Sequence, residues 1–208
     1  VKILISTVYS ENYDDVAAST VPNHLGYCRK HGYEYNVHHA PWGAKSVYYN
    51  GYLVFVREML QHYDTIVMID LDLLFMDWSI TIESIFYGCE QQIAEEKLCE
   101  TSSPINAGIV IFKNSHSSRV LLDEILRKKP QYEKDPLAWQ AHLVNMIKSD
   151  APEVRNLKIV PARVMNSHWN SGFPPSYVEG DFIIHFYMMS DHSKKAALCK
   201  EYSEKAKK

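Results

Sequence analysis

Four consecutive apolar residues, Ile66-Val67-Met68-Ile69, run without a break into Asp70-Leu71-Asp72. The run reads as a strand from Asp64 to Asp70. In an extended chain the two aspartates share a face, with Cα atoms about 6.5–7 Å apart, and Leu71 points the other way into the core. Carboxylates this close repel unless a proton or a cation lies between them. At the carboxyl end of a parallel strand, where α/β folds bind ligands, a divalent cation is the natural solution. The competing explanation is local: one aspartate caps the next turn and the other is solvated.

The flanking pattern alternates strands and helices. Lys2 to Val8 reads as a buried strand with a polar exit at Ser6-Thr7. Asp14 or Asp15 caps a helix through Val16, Val21, Leu25 and Cys28, which stops at Gly32 and kinks or starts late because of Pro22. Glu34 to His38 is a second strand and Lys45 to His62 a longer helix. Beyond the aspartates, Ala107 to Lys113 is a strand and Ser115 opens a helix through Val120, Leu121, Ile125 and Leu126. Pro136 falls in the first turn of a helix that reaches Lys148. Leu157 to Val160 and Asp181 to His185 are short strands, and a charged amphipathic helix begins at Ser190. The alternation argues for an α/β fold with a mostly parallel sheet, and 208 residues suit one domain.

Composition excludes several functions. A net charge of −3 gives no electrostatic footprint for nucleic acid. Nothing approaches 18 consecutive apolar residues, and Val1 to Ile5 opens as a strand rather than a signal peptide, so a cytoplasmic protein is expected. The eight glycines, at 26, 32, 43, 51, 88, 108, 172 and 180, never lie closer than six positions apart. That spacing fits neither the dinucleotide fingerprint nor the Walker loop. The four cysteines form no CxxC pair, which favours reduced, buried thiols over a Cys89–Cys99 bridge.

Three enzyme classes put a carboxylate pair after a strand. Haloacid-dehalogenase phosphatases need threonine where this chain has Leu74, and nucleotidyltransferases need glycines in the turn where it has Thr7-Val8-Tyr9-Ser10. Nucleotide-sugar glycosyltransferases remain. The alternatives kept open are a non-catalytic nucleotide- or carbohydrate-binding module and a metal-dependent phosphohydrolase built on Asp70 and Asp72.

The chain resembles metal-dependent glycosyltransferases of the GT-A fold, with Asp70-Leu71-Asp72 as their DxD motif. It is similar to the family of plant xyloglucan xylosyltransferases and fungal α-galactosyltransferases, and to glycosyltransferase domains encoded by chlorella viruses. Trp42-Gly-Ala-Lys45 resembles the family's Trp-x-x-Lys, Asn106-Ala107-Gly108 its Asn-x-Gly strand, and Ile183-Ile184-His185-Phe186 its late His-Phe. Two departures stand out. Tyr187-Met188-Met189 follows the histidine where the family has glycine, and Ala138-Trp139-Gln140 stands for Asp-Asp-Gln.

The resemblance implies a single GT-A-type, Rossmann-like domain with a central, mostly parallel sheet flanked by helices. Residues 1–113 would bind the nucleotide and residues 114–208 the sugars. It implies Asp70, Asp72 and His185 as ligands of Mn²⁺, with Mg²⁺ as the alternative, and a UDP-sugar donor with a carbohydrate acceptor. Lys45, Lys194 and Lys195 are candidates for the diphosphate; Thr7, Val8, Tyr9 and Tyr13 for the nucleobase, a tyrosine stacking on uracil. Asn106, Ala107 and Gly108 would pass beneath the donor sugar. Asn166, His168, Trp169 and Tyr177 are candidates for the acceptor. Retention of configuration is implied, with Gln140 supporting the charged sugar; Asp135 or Asp191 would be the base of an inverting enzyme.

Overall fold

The computed structural model describes residues 1–40, 51–86, 88–96, 103–132, 135, 137–169, 177–187 and 189–208. Strands β1 (Ile3–Ser10), β2 (Glu34–Ala40), β3 (Thr65–Ile69), β5 (Gln91–Glu95), β6 (Ile105–Lys113) and β7 (Leu157–Val160) form a six-stranded sheet in the order β2-β1-β3-β6-β5-β7. Only β6 runs against its neighbours, pairing antiparallel with both β3 and β5.

The two-residue period of a strand sends alternate side chains to opposite faces, and each face carries its own core. Leu4, Ile66, Met68, Val110 and Phe112 pack on one side, against Leu53 and Val56 of α2 (Tyr52–Met59), Leu121 and Ile125 of α4 (His116–Arg127), and Leu143 of α6 (Trp139–Lys148). Ile5, Val67, Ile69, Ile109 and Ile111 pack on the other, against Tyr27 and Cys28 of α1 (Asp14–His31). Of the short helices, α5 (Lys129–Tyr132) packs on the first face, and α3 (Ile82–Ile85) and α7 (Ala162–Met165) on the second.

A second, two-stranded sheet positions the site. β4 (Leu73–Phe75) pairs antiparallel with β8 (Ile183–His185), placing Leu73 opposite His185. Leu71, Leu74, Ile184 and Phe186 join Val16 of α1 and Cys199 of α8 (His192–Lys205) in a third apolar cluster.

Most of the expected elements are present. Helix α1, however, runs unbroken from Asp14 with Pro22 inside it, and ends where Gly32 adopts φ 72°. One missing amide is outweighed by tertiary bonds from the next two residues. Asn23 exchanges hydrogen bonds with the Phe75 backbone at 3.0 and 2.9 Å, and His24 Nε2 donates to the Leu73 carbonyl at 2.6 Å. Of the long helix expected from Lys45, residues 52–59 are helical and 45–50 lie outside the described residues. Cys28, Cys89 and Cys199 are free thiols, the first and last buried; Cys99 lies outside the described residues. Among the described residues, no helix is long and apolar enough to cross a membrane.

Candidate active site

The apolar run of β3 ends at Ile69, and Asp70 extends its pairing by donating its amide to the Gly108 carbonyl at 2.7 Å. Leu71 turns into the third apolar cluster, as the alternation requires. Both aspartates therefore face out at the strand's carboxyl end. The opposing strand brings the third group: the Phe186 amide donates to the Asp72 carbonyl at 2.9 Å, which holds the end of β8 beside the pair.

His185 is fully buried. Its Nε2 lies 3.2 Å from Asp72 Oδ1 and 3.6 Å from Asp70 Oδ2, and one ligand atom from each of the three residues falls within 4.8 Å of the others.

Hydrogen bonds on the far side of the ring place a proton on its Nδ1. The Gly108 amide, a donor only, lies 2.8 Å from Asn106 Oδ1, so that atom accepts. Asn166 Nδ2 donates to the same oxygen at 2.8 Å, leaving Asn166 Oδ1 as the acceptor for His185 Nδ1–H at 2.9 Å. Asn106 Nδ2 donates onward to Glu96 Oε2 at 3.1 Å, and the Tyr187 hydroxyl donates to Glu96 Oε1 at 3.0 Å. With Nδ1 engaged by Asn166, Nε2 is the ring atom that faces the two carboxylates. One imidazole nitrogen and two carboxylates converging on one point form a set that could hold a divalent metal. One imidazole nitrogen with carboxylate oxygens suits Mn²⁺ better than Mg²⁺.

A lysine completes the electrostatics. Lys195, on the first turn of α8 and 4% exposed, donates from Nζ to Asp72 Oδ2. Burial pulls the Asp72 pKa up, but the His185 hydrogen bond and the Lys195 charge hold it well below the usual carboxylate range. Asp70, whose side chain is 48% exposed, makes no ion pair with a lysine or arginine among the described residues, and Lys195 acts on it only from a distance. Its pKa is raised, chiefly by desolvation, against the pull of His185 and with the repulsion of Asp72 added.

A cavity of 190 Å³ opens beside Asp70, lined by Val8, Tyr52, Ala107, Ala138 and Gln140 among others. The Gln140 amide is committed to the backbone of β6. Its Oε1 accepts from the Ala107 amide at 3.0 Å, and its Nε2 donates to the Ile105 carbonyl at 2.9 Å and to Ser103 Oγ at 3.1 Å. Ala138 holds φ 46° at the start of α6, a conformation an L-residue adopts at a cost.

The remaining expected residues scatter around this centre. Thr7 is wholly buried within β1; Tyr9 is half-buried with its ring 5.0 Å from that of His39. Tyr13 lies beside the site, its ring 5.6 Å from Lys195 Nζ and 4.5 Å from the His192 ring. Asp135 accepts from the Leu137 amide at 2.8 Å, and Asp191 caps α8 by accepting from the Lys194 amide at 3.0 Å, so each carboxylate serves a local turn. Lys194 Nζ is 5.9 Å from the centre of the Trp169 ring. His168 is buried, which pushes its pKa down to about 4, and Tyr177 donates its amide to the His168 carbonyl at 3.2 Å. Lys45 lies outside the described residues.

Two placements change the expected reading. Asn166 is 2% exposed, its amide held between Asn106 and His185, so it supports the histidine rather than facing an acceptor. Gly108 lies against the His185 ring: a Cβ there would stand 2.2 Å from Cε1. Sequence reasoning missed Tyr52, whose hydroxyl donates to the Ser6 carbonyl at 2.5 Å, and Glu96, which anchors the asparagine chain. Neither carries a local signal; both are recruited by pairing between distant segments.

The galactosyl transferase GMA12/MNN10 family matches residues 87–194, more than half of the chain. No curated protein matches it. The fold matches a glycosyltransferase involved in glycosylation of the major capsid of PBCV-1, at 13% identity and a TM-score of 0.78 over 97% of this chain and 100% of that one. It also matches mouse xyloside xylosyltransferase 1, at 12% identity and a TM-score of 0.53 over 90% and 98%. A mutant of Drosophila beta-1,4-galactosyltransferase 7 in complex with manganese, UDP-Gal and xylobiose matches at 13% identity and a TM-score of 0.51 over 94% and 74%. The carboxylate pair, the histidine and the asparagine strand thus stand on a GT-A fold, and the chain belongs to the galactosyl transferase GMA12/MNN10 family: it is a glycosyltransferase.

Proposed function

We propose that this enzyme moves a sugar from a UDP-sugar to a carbohydrate hydroxyl, with retention of configuration and with Mn²⁺ held by Asp70, Asp72 and His185. The observation that carries this reading is the Nε2 of His185, directed at both carboxylates by the Asn166 hydrogen bond. The presence of manganese and UDP-Gal in the Drosophila relative supports it. When bound, the metal would neutralise the diphosphate and act as a Lewis acid on the departing nucleotide.

The protein's own groups account for the remaining roles. Lys194 and Lys195, with Lys45, supply positive charge for the diphosphate. Tyr9 or Tyr13 offers a face for the uracil, and Trp169, His168 and Tyr177 form the acceptor side. The cavity beside Asp70 takes the donor sugar, with Ala107 and Gln140 in its wall. Among the described residues of that wall Asp70 is the sole carboxylate, and Asp135 and Asp191 serve local turns. That arrangement favours retention, in which the departing phosphate oxygen takes the acceptor proton, over an inverting base.

The test is nucleotide release from a panel of UDP- and GDP-sugars, with and without Mn²⁺, for the wild type and Asp72→Ala. Release from a UDP-sugar that needs Mn²⁺ and is lost in the variant is expected. Release that needs no metal, or that survives the substitution, overturns the reading. The anomeric configuration of the product, read by NMR, decides retention separately.

A further inference from the structure

Lys195 is an unusual lysine. It is 4% exposed, it lies 123 positions from its partner, and it sits in the first turn of α8, where the helix dipole disfavours a cation. Nothing in the packing of α8 requires a charge there: Cys199, one turn on, faces the third apolar cluster. Asp72 therefore fixes the ammonium. It divides its oxygens, Oδ1 toward His185 and Oδ2 toward Lys195.

The local charges show what this implies. Two carboxylates and one ammonium leave the site one negative charge. A divalent cation added with Lys195 in place would share Asp72 with another cation at close range, which is unfavourable. A nucleoside diphosphate brings about two to three negative charges near neutral pH and gives the ammonium another partner.

We propose that Lys195 is the resident cation of the Asp70–Asp72 pair in the metal-free protein, and that it must release Asp72 for a divalent metal to be held. Metal alone then binds weakly, and a nucleoside diphosphate, by drawing Lys195 to itself, makes metal binding favourable. The proposal rests on Asp70, Asp72 and His185 being the metal site.

The test is Mn²⁺ binding followed by the electron paramagnetic resonance of free Mn²⁺, which reads occupancy without turnover. Wild type and Lys195→Met are titrated with Mn²⁺ alone and with UDP present, after circular dichroism confirms folding. Lys195→Met is expected to bind Mn²⁺ alone about tenfold or more tighter, within the usual range of coupling between sites. UDP should then strengthen its Mn²⁺ binding less than it does in the wild type. Equal Mn²⁺ affinity in the two proteins overturns the role of Lys195 and leaves the metal site standing. No Mn²⁺ binding in any arm overturns both. A second measurement is made on the wild type: the exchange-protected ¹⁵N ammonium signal of Lys195, assigned by its loss in Lys195→Arg, should shift when Mg²⁺ and UDP are added together. A signal that does not respond overturns the proposal.

Discussion

The imidazole of His185 lies against the backbone of Gly108 with no room between them. A Cβ at position 108 would stand 2.2 Å from Cε1 and 2.5 Å from Nδ1. Gly108 is thus the floor on which the third of the proposed metal ligands rests. Gly108→Ala is expected to push the ring out of line with Asp70 and Asp72, lowering Mn²⁺ affinity in the presence of UDP about tenfold or more. Overpacking adds a stability cost of roughly 1–3 kcal/mol. Mn²⁺ titration and thermal melting check both, and an unchanged metal affinity would refute this role for the glycine.

The asparagine chain makes a separate prediction. Because Asn166 Oδ1 accepts from His185 Nδ1, ¹⁵N spectra of the metal-free protein should show the proton on Nδ1. Asn166→Ala should release that tautomer and weaken metal binding about 10–100-fold, the range usual for lost support of a ligand. A wild-type ring protonated only on Nε2 would contradict the assignment.

Removing Asp72's charge should strand Lys195. Asp72→Asn leaves a buried ammonium without its anion, an uncompensated charge that typically costs roughly 3–5 kcal/mol. Adding Lys195→Met to it should recover most of that loss. Urea unfolding of the three proteins measures the effect; if the single variant is as stable as the wild type, the ion pair is not what holds Lys195 in place.

His24 gives the fold a dependence on pH away from the site. Its ring is fully buried, with Nε2 donating to the Leu73 carbonyl and Nδ1 accepting from the Tyr35 hydroxyl at 2.9 Å. Burial pushes its pKa down to about 4, so between that value and the ordinary one the unfolded chain binds the proton more readily. Its contribution to stability is complete above about pH 6.5 and is lost as pH falls toward 4, by about 3 kcal/mol in all. Urea midpoints at pH 7 and pH 4 should therefore converge between the wild type and His24→Gln. A gap that stays constant with pH would exclude His24 as the source.

The sequence was most readable where the physics is local. Ile66 to Ile69 marked β3, Ser115 the start of α4, and Gly32 the end of α1. It was least readable where burial is carried by polar residues. In β5, Gln91 and Gln92 are fully buried, their Nε2 groups donating to Ser117, Ser118 and the Ile85 carbonyl, so no apolar alternation announces the strand. β4 has only three residues, too few for a period to show. The motif order singled out Asp70, Asp72 and His185, whose ligand atoms lie within 4.8 Å of one another, but not what surrounds them.

By itself, the sequence determined that β3 would be buried and that Asp70 and Asp72 would emerge on one face, because the two-residue period of a strand requires it. The scattered glycines likewise ruled out a glycine-rich phosphate loop. Tertiary structure decided the rest. The pairing of Leu73 with His185 set the distance from imidazole to carboxylates, and α8 delivered Lys195 to Asp72. It also set Asn166 and Gly108 against the ring of His185. Dihedral preference and periodicity act over a few residues, whereas these contacts join segments separated by dozens, where only the packing of sheet and helices fixes which side chains meet.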